Sequence, residues 1–452
     1  MQDTNKITLF ENTPIPQAVA KLAIPTIISS LVMVIYNLAD TYFVGMINDP
    51  VQNAAVTLAA PVLLAFNAVN NLFGIGTSSM MSRSLGRGDH EMVRTSSAFG
   101  FYGAVFSGLL FALLCTVFKT PLMYLLGADA VTWQATASYM LWTVSCGAMP
   151  AILNVVQAQM VRAEGASLHA SIGTMSGCIL NIILDPIFIL PWGLGMGAAG
   201  AGLATFISNC VACCYFFLLA RIKKDNTFVC LDIRKLKNLS KEVVFGILGV
   251  GIPASIQNLL NVTGSTILNN FTAVYGAAAV AAMGVSHKVN MLPMQICLGF
   301  SQGIMPLVSY NYASGNRKRM KEAILFALGI ILPVMTAVTA GYWFCAPNMI
   351  RMFMDNPEII AYGSRFLRGM CLGLVFLSTD FMAVGVFASL GMGKYSLIFA
   401  ILRKVVLEIP LLFLLNFLLP LYGLAYAQCI TEVILAAAAT LMLIRIFRQE
   451  GT

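Results

Sequence analysis

Twelve runs of about 20 or more apolar residues follow one another along the chain, and each is long enough to cross a bilayer as a helix. They fall near 17–46, 53–82, 92–118, 131–161, 167–190, 196–222, 242–275, 278–310, 320–346, 358–390, 395–419 and 422–446. Only 10% of the residues are charged, against roughly 25% in a soluble domain. The chain is therefore expected to be an all-α polytopic membrane protein, with the lipid bilayer as its solvent. Its start, Met1 to Thr13, is polar and carries no short apolar segment with a small-residue cleavage site, so no cleavable signal is expected.

The formal charge of +8 would suggest nucleic acid as a partner of a soluble protein. Here the cations lie between the spans, where they act as topology determinants instead. One set of loops holds Arg83, Arg87, Arg94, Arg162, the Arg221 to Lys241 stretch, Arg317, Lys318, Arg319, Lys321, Lys394, Arg445 and Arg448, and the other little beyond Lys119 and Arg351. Both termini are expected in the cytoplasm. Nine of the 11 cysteines fall within apolar runs, where they act as small hydrophobes, so neither a zinc site nor a disulfide framework follows.

The two halves repeat. Ile24-Pro25 is matched by Ile252-Pro253, Gly88-Asp89 by Gly315-Asn316, Gly165 by Gly391 and Gly200 by Gly423. Each half has an even number of spans and starts on the same side, so the halves are parallel, related by an axis along the membrane normal. The expected organisation is an N-terminal six-helix lobe over 1–222, a basic linker over 223–241 and a C-terminal six-helix lobe over 242–452, with a central cleft between the lobes. Such an architecture suits a transporter that rocks its halves about a central site.

Polar groups within the spans mark where that site would be. Asn181 and Asp185 are one helical turn apart in a run that is otherwise apolar from Ile179 to Leu190. A carboxylate at mid-membrane costs on the order of 2.5–3.5 kcal/mol to insert. The pair projects from one helix face and can share a proton or a cation, and Pro186 is expected to loosen the backbone at Asp185. A kinked helix with its Asp bonded to a neighbour is the plain alternative. In the first span Tyr36, Asn37 and Asp40 lie close together. Asn67, Asn70 and Asn71 form a stripe in the second span, Gln257, Asn258 and Asn261 in the seventh, and Lys288, Gln295 and Gln302 follow in the eighth. Amide stripes also serve as interhelical glue, but several in symmetric spans favour a hydrated cavity. Asp380 is the carboxylate of the tenth span, and Glu408 lies near Arg403 and Lys404, where pairing near the cytoplasmic face is expected. His287-Lys288 is open to a proton relay or to contact with headgroups or Asp380. Met33, Met160, Met175, Met283 and Met291 add adaptable apolar surface, as core or as cavity wall.

Taken together these residues resemble the multidrug and toxic compound extrusion (MATE) family, closest to its bacterial DinF-like efflux branch. The resemblance spans nearly the whole chain. It rests on Asp40 with Phe43-Val44-Gly45, on Ala163-Glu164-Gly165, on Asn181 to Pro186, on Gly251-Ile252-Pro253 and on Pro306-Leu307-Val308-Ser309-Tyr310-Asn311. It implies a twelve-helix, two-lobed antiporter of the bacterial inner membrane that exports cationic or amphipathic drugs against inward H+ or Na+. By similarity Asp40, Asn181, Asp185 and Thr205 would form the cation site, with Tyr36 and Asn37 at the border of the drug cavity. The cavity set is then Met33, Tyr36, Asn37, Asn67, Asn70, Met175, Gln257, Asn261, Gln302 and Asp380. Another branch uses an acid in the seventh span with an Asp in the tenth; Asp380 matches the latter, but Asn261 stands at the seventh-span position, which moves the implied cation site to the N lobe.

The expected mechanism is exchange by mutual exclusion. Ionised Asp40 and Asp185 hold a cationic amphiphile, an H+ or Na+ on the pair cancels that charge, and the first span rebends at Pro25. Two carboxylates close together in low dielectric cannot both ionise freely. A lipid-linked precursor flippase is the nearest alternative, but it calls for a more cationic cleft. HExxH, GxSxG with partners and acidic metal clusters are lacking in the sequence, so no enzyme and no cofactor is expected beyond the transported ion. The chain is expected to be a monomer.

Overall fold

The fold, a computed structural model that describes residues 2–47 and 49–449, is helical throughout its spans. Met1, Asn48 and 450–452, which include both ends of the expected lobes, lie outside the described residues. A short helix, Gln2–Glu11, precedes the first span, Ile15–Met46. Pro50–Gly86, His90–Val117, Ser167–Ile189 and Ala198–Ile222 are the second, third, fifth and sixth spans, and the fourth covers 133–163. The C lobe follows with Lys241–Ala273, Ala277–Ala313, Arg317–Arg351, 357–389, 393–418 and Gly423–Gln449.

The repeat read from the sequence is present in the backbone. Gly88 and Gly315 take φ of 72° and 78°, a left-handed conformation that costs glycine least. Each is followed by a helix-capping side chain, Asp89 accepting from Met92 N–H and Asn316 from Arg319 N–H. Gly165 and Gly391 are likewise left-handed, at 85° and 77°. The fourth and tenth spans are equivalent, and both bend by 46° at a break, near Gly147 in one and near Gly373 in the other. The eleventh span departs from its partner, the fifth, by a π-helical segment, Leu402–Glu408. A π turn admits an extra residue into a helix and so rotates the faces on either side of it.

Glycines set how closely the lobes approach. Gly76 lies against the carbonyl of Ile247, Gly251 against that of Leu72, and Gly303 against the backbone of Leu22 and Ala23. Ser255 Oγ donates to Ala68 O (2.5 Å) and Ser79 Oγ to Ala388 O (2.5 Å). At the end of this seam nearest the termini Phe10 stacks on Tyr310 with centroids 4.9 Å apart, and Arg87 pairs with Glu242 at 2.7 Å. All of these contacts fall in the half of the molecule nearest the termini. Past Ala68 and Ser255 the second and seventh spans expose Leu64, Asn67, Leu259 and Thr263 as the seam gives way to the central cleft.

Candidate functional site

The fifth span brings Asn181 and Asp185 onto one face, as the four-residue spacing requires. Asp185 is fully buried and Asn181 is 2% exposed. The Asn181 amide sits between Asp185 Oδ2, at 2.8 Å, and the sixth span, where it meets Thr205 Oγ1 at 3.3 Å. With its NH2 donating to the carboxylate, its carbonyl accepts from the Thr205 N–H at 3.1 Å and from the Thr205 hydroxyl. Asn181 thus ties the fifth span to the sixth and leaves the other carboxylate oxygen of Asp185 free of it. Pro186 was expected to loosen the backbone at Asp185, and the helix continues through it. It lies inside a span that runs on to Ile189, and its ring nitrogen cannot donate a helical hydrogen bond.

Asp40 of the first span is half-buried and within electrostatic range of Asp185. Tyr36, one turn earlier, and Tyr139 of the fourth span are in range of both acids. Four spans therefore bring two carboxylates, two phenols, an amide and a hydroxyl into one electrostatic neighbourhood. Among the described residues no Lys, Arg or His lies within ion-pair distance of Asp40 or Asp185. Two uncompensated acids in a low-dielectric setting make a place for a proton or a small cation. Tyr139 is absent from the sequence-derived set. Its one signal was a hydroxyl in the middle of a membrane run, beside the π-helical stretch Leu141–Cys146 that displaces the following turn.

The cavity candidates divide. Met33, Asn37 and Asn67 are exposed, and Tyr36, Met175, Gln257 and Asn261 are half-buried. Asn70 is buried, with its Oδ1 lacking a hydrogen-bond partner. Gln302 lies in the seam between the lobes, where its Oε1 accepts from Gln159 Nε2 at 3.4 Å.

Asp380 is not on the cavity wall. Its side chain is 2% exposed and bonded to the Arg403 guanidinium, which also donates to Glu432 Oε2 at 3.0 Å and lies 5.0 Å from the Phe381 ring. The partner of Arg403 is therefore this pair of acids, while Glu408 is taken by Lys404 at 2.7 Å. Of the expected grouping of Glu408 with both cations, the Lys404 pair is present, while Arg403, from the same π segment, bonds acids of the tenth and twelfth spans instead. Lys288 does not reach Asp380 and is exposed.

The chain matches the MatE family over residues 25–187 and 253–414, one match in each half. It is 33% identical over 438 residues to the multidrug export protein MepA of Staphylococcus aureus (strain MRSA252), covering 96% of this chain and 94% of that protein. The MepA of Staphylococcus saprophyticus is 31% identical with the same coverage. Among solved structures, the outward-facing conformation of a multidrug resistance MATE family transporter of the MOP superfamily superposes with a TM-score of 0.93 over 99% of both chains, at 26% identity. A MOP superfamily transporter from Pyrococcus furiosus, described as having a binding pocket of reverse polarity, superposes with a TM-score of 0.91 at 26% identity. With a family match in each half, near-complete coverage of its relatives and two six-helix lobes about a cleft, this chain belongs to the MATE family of multi-span membrane transporters.

Proposed function

We propose that this chain is a cation-coupled multidrug exporter of the bacterial inner membrane, an antiporter that exchanges cationic or amphipathic compounds for H+ or Na+. The observation that carries the reading is the N-lobe pocket, where Asp40 and Asp185 lie together without a cation of the protein's own. A positively charged amphiphile in the cleft is held by their field; a proton or Na+ on the pair cancels it. The substrate is then released toward the open end. With the termini and basic loops in the cytoplasm, as the distribution of Lys and Arg favours, the cleft opens outward. Asn181 and Thr205 orient the acid, and the exposed Met33 and half-buried Met175 supply adaptable apolar contact. The transporter works as a monomer, its site lying within one chain.

The test is ethidium efflux from cells or proteoliposomes under an imposed pH gradient or an imposed Na+ gradient, with Asp185→Asn alongside. Efflux driven by one gradient and abolished in a variant that still folds identifies the ion and the site. Normal gradient-driven efflux in Asp185→Asn sinks the reading.

A further inference from the structure

Just beneath the cleft a guanidinium is buried with no acid to meet it. Arg162, in the last turn of the fourth span, is 5% exposed. Its Nη1 donates to Gln159 Oε1 at 3.0 Å, and Gln159 in turn donates across the lobes to Gln302. Its Nε has no hydrogen-bond partner, and among the described residues no Asp or Glu lies within ion-pair distance. The nearby Glu164 carboxylate is directed to the linker, where it accepts from the Thr227 hydroxyl at 2.9 Å and from Phe228 N–H at 2.7 Å. Arg403, the other buried arginine, shows what the fold does elsewhere: it sits between two acids.

The place of Arg162 is as informative as its lack of a counter-ion. Gln159 packs 3.2 Å from the Cβ position of Gly74 on the second span. Gln302 lies between Gly299 and Gly303, which rest on the first span from Leu22 to Ile27. The Arg162–Gln159–Gln302 relay therefore crosses the joined part of the seam, directly between the cleft and the basic loops. Arg83, whose guanidinium is held by the carbonyls of Ser79 and Gly246, adds a second cation at the same end of the seam. An unneutralised buried cation is costly, and an arginine at a constriction excludes protons and other cations through its field.

We propose that Arg162 is the electrostatic seal of the closed end of the cleft. It bars cations from the seam while the outer end is open, so that they cross only when the lobes change over. Gln159 and Gln302 are positioning residues that hold the charge between the lobes. The inference rests on the reading that cations use the cleft.

The test is passive leak through the full chain in proteoliposomes without ethidium. Under an imposed membrane potential, tracer Na+, tracer chloride and protons (by an entrapped pH dye) are followed. Arg162→Gln should raise Na+ and proton leak about tenfold, as removal of a charge from a focused field implies, and leave chloride unchanged. Arg162→Lys keeps the charge and should stay as tight as the parent. Gln302→Leu frees the relay without removing the charge and should raise cation leak by a smaller factor; it also serves if Arg162→Gln fails to reconstitute. An equal rise for chloride would mark a packing defect and overturn the seal. So would an unchanged cation leak in Gln302→Leu or in folded Arg162→Gln, and so would a Lys variant as leaky as the Gln variant. Because no substrate is present, intact coupling in Asp185→Asn would defeat the exporter reading without moving this assay.

Discussion

The two lobes share a backbone and differ in how they treat buried charge. The Ile24-Pro25 and Ile252-Pro253 match sets Leu268 opposite Asp40, and the Gly200 and Gly423 match sets Gln428 opposite Thr205. With one residue added by the π segment, the Gly165 and Gly391 match sets Glu408 opposite Asn181 and Leu412 opposite Asp185. These four C-lobe residues do share a site: Leu268, Glu408, Leu412 and Gln428 line one small cavity with Met283 and Met370. Where the N lobe has two acids without a cation, the C lobe has two leucines, and its one acid there is held by Lys404. Two further buried acids of the C lobe, Asp380 and Glu432, are held by Arg403. The lesson is that a duplicated fold keeps its geometry when one copy alone keeps the uncompensated charge. Among the described residues the N-lobe pair has no cation of the protein's own, whereas the C lobe carries its own.

The sharpest way to break this comparison is to remove the cation of the C lobe. Arg403→Gln leaves Asp380 and Glu432 facing each other in the interior and should cost about 3–5 kcal/mol of stability, the usual penalty for orphaning a buried ionic partner. Thermal unfolding in detergent reads this directly. Neutralising all three, with Asp380→Asn and Glu432→Gln added, should recover most of the loss. If Arg403→Gln unfolds at the parent's temperature, the C lobe is not internally compensated and the contrast falls.

A smaller effect is expected at Lys404 and Asp185. Lys404→Met strands Glu408, whose side chain is 8% exposed, and should cost about 1–3 kcal/mol, as for a buried polar group left without its partner. Asp185→Asn removes a charge that has no partner, so it should leave stability within about 1 kcal/mol of the parent or raise it. The same melting experiment thus sorts the acids. Loss of stability on removing the cation marks the C lobe, and tolerance of acid neutralisation with loss of transport marks the N lobe. A large destabilisation by Asp185→Asn would mean that Asp185 is held as tightly as Asp380.

These differences explain why the fold was legible in the sequence and the pairing was not. The twelve apolar runs and the matched Gly88-Asp89 and Gly315-Asn316, Gly165 and Gly391 are local signals, and the structure adds that the glycines are left-handed and that Asp89 and Asn316 cap helices. Asn181 and Asp185 were found because four-residue spacing places them on one helix face. Lys404 and Glu408 are paired for the same reason. Arg403 meets acids 23 and 29 residues away, on two other spans. Which face Arg403 presents depends on the π segment, and no residue type in Leu402–Glu408 announces it. Asp380 was accordingly expected on a cavity wall and lies under a guanidinium. Tyr139 was missed because a tyrosine in a membrane run reads as an interfacial anchor as readily as a site residue.

The smallest effect tests the shared backbone itself. Gly88 and Gly315 occupy equivalent turns with φ of 72° and 78°, and a Cβ built on either meets nothing within 4 Å. Replacing either by alanine therefore adds only left-handed strain, about 1–2 kcal/mol, and the two losses should be equal within error. Gly391 has the same conformation, but its Cβ position falls on the Arg83 guanidinium, and that of Gly165 lies 2.9 Å from the Phe10 ring. Gly391→Ala and Gly165→Ala should each cost more than their open counterparts, because the strain is joined by displacement of a neighbour at the seam. Melting temperatures of the four variants separate the contributions. Equality at 88 and 315 measures the duplicated turn, and the excess at 165 and 391 measures what was built around it when the two copies closed on each other. Unequal losses at 88 and 315 would show that the turns, though matched in φ, carry different loads, and that the repeat holds in outline but not in energy.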